Sequence, residues 1–273
     1  MNHEPLSRIT AGVWQFDIRP GDVDGNLKNA CGGIDRLAVA GADLAVLPEM
    51  FSCGFDYPHL LAHAEKTPAV LETLSRLAQR YGMVIAGSLP EASGSEVFNC
   101  LYVIDADGRQ AAAYRKIHLF PPILEDHYLR AGQEACVCET AAGRLGLLTC
   151  FDLRFPELAR SLALQGAQIL AVSAQWPKTR IMHWDVLLRA RAIENQVFVV
   201  AANRYGEDPD LFFNGHSRII SPAGEERAVI AAPNAFATAF LDFAEIREAR
   251  SRFNCLTSLV PQAYEAKWPS REH

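Results

Sequence analysis

The sequence predicts an α/β fold in which helices cover two sheets within one domain. Three observations carry that prediction. The chain has 273 residues and is 49% hydrophobic, enough for a large core without covalent staples. Its apolar runs LAVLPE, AQILAVSA and QVFVVAAN show no polar alternation, as expected of strands buried on both faces. Segments with helical spacing lie between such runs, and the rhythm of the first half returns in the second without its sequence. No low-complexity linker divides the chain, so one domain over 1–273 is expected.

The elements follow in order. ITAGVWQF, Ile9 to Phe16, reads as the first strand. From Gly25 to Ala40 the apolar positions Leu27, Ala30, Ile34, Leu37 and Ala38 define a helix face. GAD then turns the chain into a buried strand, Leu44 to Glu49. Pro68 to Tyr81 is predicted helical, with Pro68 near its start, where a missing N–H is tolerated. Met83 to Leu89 is the next strand, and FNCLYVID and RQAAAYRK flank ADG as a hairpin would. CVCET and GRLGLLTC flank a second turn. Phe155 to Gln165 reads as a helix with Pro156 in its first turn. A strand (Ala167 to Ala174), a helix (Ile181 to Asn195) and a strand (Gln196 to Asn203) come next. HSRIISPAGEE and the apolar run Ala235 to Phe243 are expected to close the core as a hairpin. Ile246 to Phe253 is a short helix, and Asn254 to His273 a tail whose Tyr264 and Trp268 argue against plain disorder.

Charge and composition exclude several classes. Net charge is −6 and the basic residues are scattered, so nucleic acid is not an expected partner. The start MNHEPLSRIT is too polar for a secretory signal, and no apolar run approaches the roughly 18 residues of a membrane span. A cytoplasmic enzyme with no membrane partner is the expectation. Seven cysteines, Cys31, Cys53, Cys100, Cys136, Cys138, Cys150 and Cys255, show no disulfide spacing. All but Cys150 read as small hydrophobes. His59 and His63 share a helix face without a third ligand, and no glycine-rich phosphate loop occurs, so neither metal nor organic cofactor is expected.

Three apolar runs end in reactive groups. LLTCFDLRFPE ends a strand at Cys150 and turns into a helix, VLPEM ends another at Glu49, and YRKIHLF follows a third with Lys116. A thiol, a carboxylate and an amine at strand ends suit covalent catalysis on a carbonyl-like carbon. A free thiol has a pKa of about 8.5, so it needs a base or a cation. Glu49 can take the proton, Lys116 can stabilise an oxyanion, and the Phe151 N–H, one residue past the thiol, can be a second donor.

VLPEMFSCGF, YRKIHLF and LLTCFDLRFPELAR, in that order, resemble the signature blocks of the nitrilase, or carbon–nitrogen hydrolase, superfamily. The resemblance spans the chain from AGVWQF to FLDFAEI. It implies a four-layer α-β-β-α sandwich, usually dimerised, and hydrolysis through a thioester at a Glu–Lys–Cys set matching Glu49, Lys116 and Cys150. It also implies a second glutamate between lysine and cysteine, a fixed step before a glycine. EDHYLRAG offers Glu125, seven residues before Gly132, to orient Lys116 and position water; its rival Glu134 follows the glycine.

The later segments resemble the amidase branch. True nitrilases usually carry tryptophan and glutamate after the cysteine, whereas Phe151 and Asp152 stand here. CFDLRFPEL, WPKTR and ARAIENQ are similar to the ω-amidases, which hydrolyse the terminal amide of 2-oxoglutaramate. Such a small-molecule substrate carries a far carboxylate, for which arginine is the best partner. Arg154 and Arg180 are the candidates, Arg154 also being expected to lock the turn beside Cys150 by pairing with an acid. Phe120 and Trp176 are candidate pocket walls. His118 is expected to pack or hydrogen-bond near the site. Glu194 is expected to pair with Arg189 or Arg191. The alternatives are an N-carbamoyl amide hydrolase, a nitrilase, and a catalytically silent binding or scaffold protein of the same fold. A homodimer is expected, with the 254–273 tail crossing to the other subunit.

Overall fold

The strands begin where apolar runs are longest. The computed structural model describes residues 7–209 and 211–264. In chain order the elements are β1 (Arg8–Gln15), α1 (Val23–Val39), β2 (Leu44–Val46), α2 (Leu60–Tyr81), β3 (Val84–Ser93), β4 (Glu96–Ile104) and β5 (Gln110–Arg115). They continue with α3 (Glu125–Tyr128), β6 (Val137–Thr140), β7 (Gly143–Thr149), α4 (Pro156–Leu164), β8 (Ile169–Ala174) and α5 (Ile181–Asn195). The chain then forms β9 (Phe198–Asn203), β10 (Tyr205–Asp208), β11 (Leu211–Asn214), β12 (Arg218–Ile220), β13 (Glu226–Val229), β14 (Ala235–Asp242) and α6 (Ala244–Arg252).

Two six-stranded sheets result, in the orders β14-β1-β2-β3-β4-β5 and β13-β12-β9-β8-β7-β6. β1, β2 and β3 run parallel, as do β7, β8 and β9. The inner faces share one core: Ala11, Val13, Val46 and Ala86 of the first sheet join Leu145, Leu147, Val172 and Val200 of the second. Alternation sends the opposite residues outward. Ala45, Ile85 and Trp14 meet Ile34, Leu37 and Leu74 of α1 and α2. Leu158, Leu162, Trp184 and Leu188 cover the second sheet from α4 and α5. The expected α-β-β-α layering is thus present. Close approach of α1 needs small residues: a Cβ on Gly12 would meet Leu37 at 2.5 Å.

Three local expectations need correction. Pro68 lies inside α2, which starts at Leu60. The buried set Leu60, Ala64, Thr67, Val70, Leu74 and Ala78 runs straight through it. Pro68 sits on the exposed face, so its ring does not disturb the buried face of the helix. The strand expected over Leu44 to Glu49 pairs only to Val46, and the chain leaves the sheet before Glu49. The expected closing hairpin is split. β12 and β13 form a hairpin in the second sheet, while β14 crosses over and pairs antiparallel with β1. Both partners offer an apolar edge, and periodicity alone does not choose between them.

α5 matches its expected bounds, Ile181 to Asn195. All seven cysteines are free thiols. No described helix is long and apolar enough to cross a membrane. In the tail, 254–264 form turns that end in a 3-10 turn, Pro261–Tyr264. Trp268 and the side chain of Tyr264 lie outside the described residues.

Candidate active site

The parallel strands of both sheets deliver their carboxyl ends to one place. Glu49 follows β2, Cys150 follows β7, Gln175 follows β8, and Lys116 follows β5 on the same side. Lys116 is 1% exposed and Glu49 and Glu125 are 0% exposed, so their contacts are made away from water. Lys116 Nζ donates to Glu49 Oε1 at 2.9 Å and to both oxygens of Glu125 at 2.8 and 2.7 Å. Asn99 Nδ2 donates to Glu49 Oε1 at 2.7 Å. The Gln175 N–H donates to Glu49 Oε2 at 3.0 Å, and the Phe120 N–H to Glu125 Oε2 at 2.7 Å. The sequence thus brings Glu49, Lys116, Cys150 and Glu125 together, while Glu134 is exposed.

The backbone is unusual at or beside three of these residues. Cys150 itself has φ +46°, Met50 next to Glu49 has +44°, and Leu124 before Glu125 has +60°. Non-glycine residues rarely adopt this region, and such strain concentrates where a side chain must be aimed. At Cys150 it forms a sharp step from β7 into a 3-10 turn, Cys150–Arg154. The Phe151 N–H lies in the first turn, which has no acceptor for it, and is free to bind an anion. Gly132 is needed for a related reason. Its N–H donates to the Lys116 carbonyl at 2.8 Å, and a Cβ would meet the Arg115 carbonyl oxygen at 2.1 Å.

Electrostatics keep the thiol protonated at rest. Burial and then the Glu49 carboxylate push the Cys150 pKa well above its usual value, against the pull of Lys116. Burial would lower the Lys116 pKa, but Glu125, Glu49 and Cys150 outweigh it and hold the ammonium charged. Burial, helped by Glu49, raises Glu125 above the usual carboxylate range. Two carboxylates around one ammonium leave a single excess negative charge. A proton released by the thiol therefore has acceptors at hand, and the thiolate has a cation.

A narrow cavity opens over this cluster. Lys116, Cys150, Phe151 and Gln175 line its floor, and Phe55, Phe120, Trp176, Leu211 and Phe213 its walls. Arg154 and Arg180 line it too, so the expected wall and cation residues all converge. The Arg154 guanidinium lies 4.7 Å from the Trp176 ring and that of Arg180 5.5 Å from Phe120. Neither arginine has an acid partner among the described residues. This corrects the expectation that Arg154 locks the turn through an acid. Its nearest polar contact is His183 Nδ1 at 3.3 Å. Burial and the Arg180 charge lower the Arg154 pKa, as two unpaired guanidiniums facing one cavity should.

The turn is locked instead chiefly by Asp152, whose part sequence reasoning passed over, together with His118, which was expected to hydrogen-bond near the site. Asp152 is wholly buried and accepts from the Thr149 N–H at 3.0 Å and the Tyr114 hydroxyl at 2.7 Å. It also accepts from the His118 N–H at 3.0 Å and meets His118 Nδ1 at 2.8 Å, while the His118 ring stacks on Phe155. Arg191 donates to the Leu153 carbonyl at 2.8 Å and pairs with Glu194 at 2.9 Å, so Glu194 takes Arg191; Arg189 pairs with Glu226. Asn99 and Gln175 were also missed; their only signal is a lone amide within or just after an apolar strand. His59 and His63 both contact Asp56, and no group of three or more metal-ligating side chains occurs among the described residues.

Comparison with known proteins identifies the family. A family model described as carbon-nitrogen hydrolase matches residues 10–251. A 2-oxoglutaramate amidase of Bacillus subtilis is 38% identical over 243 residues, covering 88% of this chain and 93% of its own. A carbon-nitrogen hydrolase structure from Helicobacter pylori superposes with a TM-score of 0.89 at 26% identity, covering 94% of this chain and 97% of the other. An amidase variant from Nesterenkonia sp. AN1, with the acetamide moiety of fluoroacetamide added covalently at its active-site cysteine, superposes at 0.83. It too is 26% identical, covering 94% of this chain and 95% of its own. With the match spanning nearly every described element, this chain belongs to the carbon-nitrogen hydrolase family and is a hydrolase of carbon–nitrogen bonds.

Proposed function

We propose that this enzyme hydrolyses linear amides through a thioester on Cys150, and that its substrates are ω-amides with a far carboxylate, 2-oxoglutaramate first among them. The chemistry rests on the buried Glu49–Lys116–Glu125 cluster around the thiol. Glu49 Oε1 is fully engaged by Asn99 and Lys116, whereas among the described residues Oε2 accepts the Gln175 N–H alone and keeps a lone pair open. Cys150 sulfur attacks the amide carbon as its proton passes to Glu49. Lys116 and the Phe151 N–H hold the oxyanion. The tetrahedral species collapses, the carbon–nitrogen bond breaks, and ammonia leaves with the proton from Glu49. Water then attacks the thioester and gives a proton to Glu49, with Glu125 fixing Lys116 and positioning the water. The second collapse releases the acid, and Glu49 returns its proton to the Cys150 sulfur.

The substrate reading rests on one observation: two arginines without acid partners among the described residues face a cavity with largely apolar walls above the thiol. A guanidinium left unpaired in such a wall suits a ligand carboxylate. The 38% identity to a 2-oxoglutaramate amidase supports the same class. The test is kcat/KM for 2-oxoglutaramate against a neutral aliphatic amide of equal length. Preference for the former by tenfold or more is expected; parity would remove the carboxylate subsite. Carbon dioxide released with ammonia would favour the N-carbamoyl reading, and faster turnover of a nitrile than of its amide the nitrilase one.

Cytoplasmic residence and a homodimer belong to the same proposal. Seven free thiols suit a reducing compartment. Met182, Val186 and Ile193 form an exposed apolar stripe along α5 that suits a second copy. A monomer independent of concentration by light scattering would exclude the dimer.

A further inference from the structure

We propose that Arg204 is a positioning residue that aims Glu49 through Gln175 and ties that aim to the wall of the cavity. The inference rests on reading Glu49 as the proton acceptor. Arg204 stands at the end of β9, is 0% exposed, and is among the largest wholly buried side chains. It is not itself part of the cavity lining, and it reaches the floor through Gln175. Its Nη1 donates to Gln175 Oε1 at 3.0 Å. A guanidinium has donors only, so it dictates which end of the Gln175 amide faces it. The other end, Nε2, must then point the opposite way, and it donates to the Glu49 carbonyl at 2.9 Å. The Gln175 backbone N–H donates to Glu49 Oε2 at 3.0 Å. One guanidinium thus fixes the Gln175 side-chain amide, which holds the Glu49 main chain, while the peptide N–H of the same residue holds the Glu49 carboxylate.

The same guanidinium grips the β10–β11 hairpin. Nη1 and Nη2 reach the two oxygens of Asp208 at 2.7 and 2.6 Å, and Nη2 donates to the Glu207 carbonyl at 3.2 Å. Its face lies 4.5 Å from the Phe213 ring. Phe213 and Leu211, both on that hairpin, line the cavity where the acyl part of a substrate would lie. Substrate contact at the hairpin and alignment of the proton acceptor are therefore joined through one rigid, planar cation. Lysine would lack the fork needed to serve Gln175 and Asp208 together.

The test is a double-mutant cycle on Arg204→Gln and Gln175→Leu, read as kcat and KM on the amide that the native enzyme turns over best. A misaligned base should cost each single variant about 10- to 100-fold in kcat. If Arg204 acts through Gln175, the double variant loses no more than the worse single one. Losses that multiply would overturn the proposal. So would an Arg204→Gln protein whose kcat stays within threefold of native while only KM or melting temperature changes. Should Arg204→Gln not fold, Gln175→Glu carries the test. It keeps the contact to Arg204 and withdraws the N–H from the Glu49 carbonyl. A native kcat in that variant overturns the proposal, and a lowered kcat with a native melting temperature supports it. Arg204→Lys should recover only part of the kcat lost in Arg204→Gln; complete recovery contradicts the fork argument. An acyl adduct on Cys150 in the native enzyme keeps the two readings apart: its presence with a failed cycle rejects only the role of Arg204.

Discussion

The floor and the mouth of the cavity hold charge in opposite ways. On the floor, Glu49, Lys116 and Glu125 satisfy one another and are 0–1% exposed. At the mouth, Arg154 and Arg180 lie over Trp176 and Phe120 with no acid beside them among the described residues. A buried charge left unpaired is costly, so the floor is complete before any ligand arrives. The mouth is complete only with one. In the proposed mechanism, the difference separates the groups that would perform the reaction, held in place in advance, from those that would select the reactant.

Removing the cation from the floor should have the largest effect. Lys116→Met leaves two carboxylates facing each other out of water. Unfolding in urea should show a loss of about 3–5 kcal/mol, and kcat should fall on the order of 10³-fold. A variant of native stability would mean the floor is hydrated and the contrast with the mouth is false.

The mouth should respond differently. Arg180→Met or Arg154→Met removes a charge that has no acid partner among the described residues, so stability should hardly change. The expected loss is in kcat/KM for 2-oxoglutaramate, roughly 10- to 100-fold, with the neutral amide of equal length changed by less than about threefold. Equal losses on both substrates would show that the arginines support the walls rather than read a carboxylate.

A smaller effect should appear with pH. Burial holds the folded thiol of Cys150 well above its usual pKa, and those of Cys53 and Cys138 at about 12. Each folded value exceeds the unfolded one, about 8.5 for a thiol. Their stabilisation is complete below that pH and is lost as pH rises toward the folded values, at about 1.4 kcal/mol per pH unit for each thiol. Melting temperature should therefore fall above about pH 8.5, and less steeply in Cys150→Ala. Identical slopes would place Cys150 in water.

How much of this was legible follows the same division. Glu49, Lys116 and Cys150 could be read because each closes or follows an apolar run, and strand ends converge at one edge of such sheets. Glu125 needed the resemblance; its short helix and the Leu124 step carry no periodic signal. Asp152, Asn99, Gln175 and Arg204 were illegible because nothing in a polar residue's spacing tells whether it will be buried with partners. Asp152 fills the locking place that Arg154 was expected to fill, since a carboxylate can collect several N–H and O–H donors at once. Pro68 misled because proline marks helix starts more often than helix interiors. The β14 crossover was hidden because register and partner are set by tertiary packing, here between β14 and β1.

The most direct measurement is rapid-quench mass spectrometry of the intact chain, then of its Cys150 peptide, within milliseconds of mixing with 2-oxoglutaramate. A thioester at the floor predicts added mass equal to the substrate less ammonia, confined to that peptide and absent from Cys150→Ala. Ammonia released in the first turnover with no mass added to that peptide, or full turnover by Cys150→Ala, would contradict it.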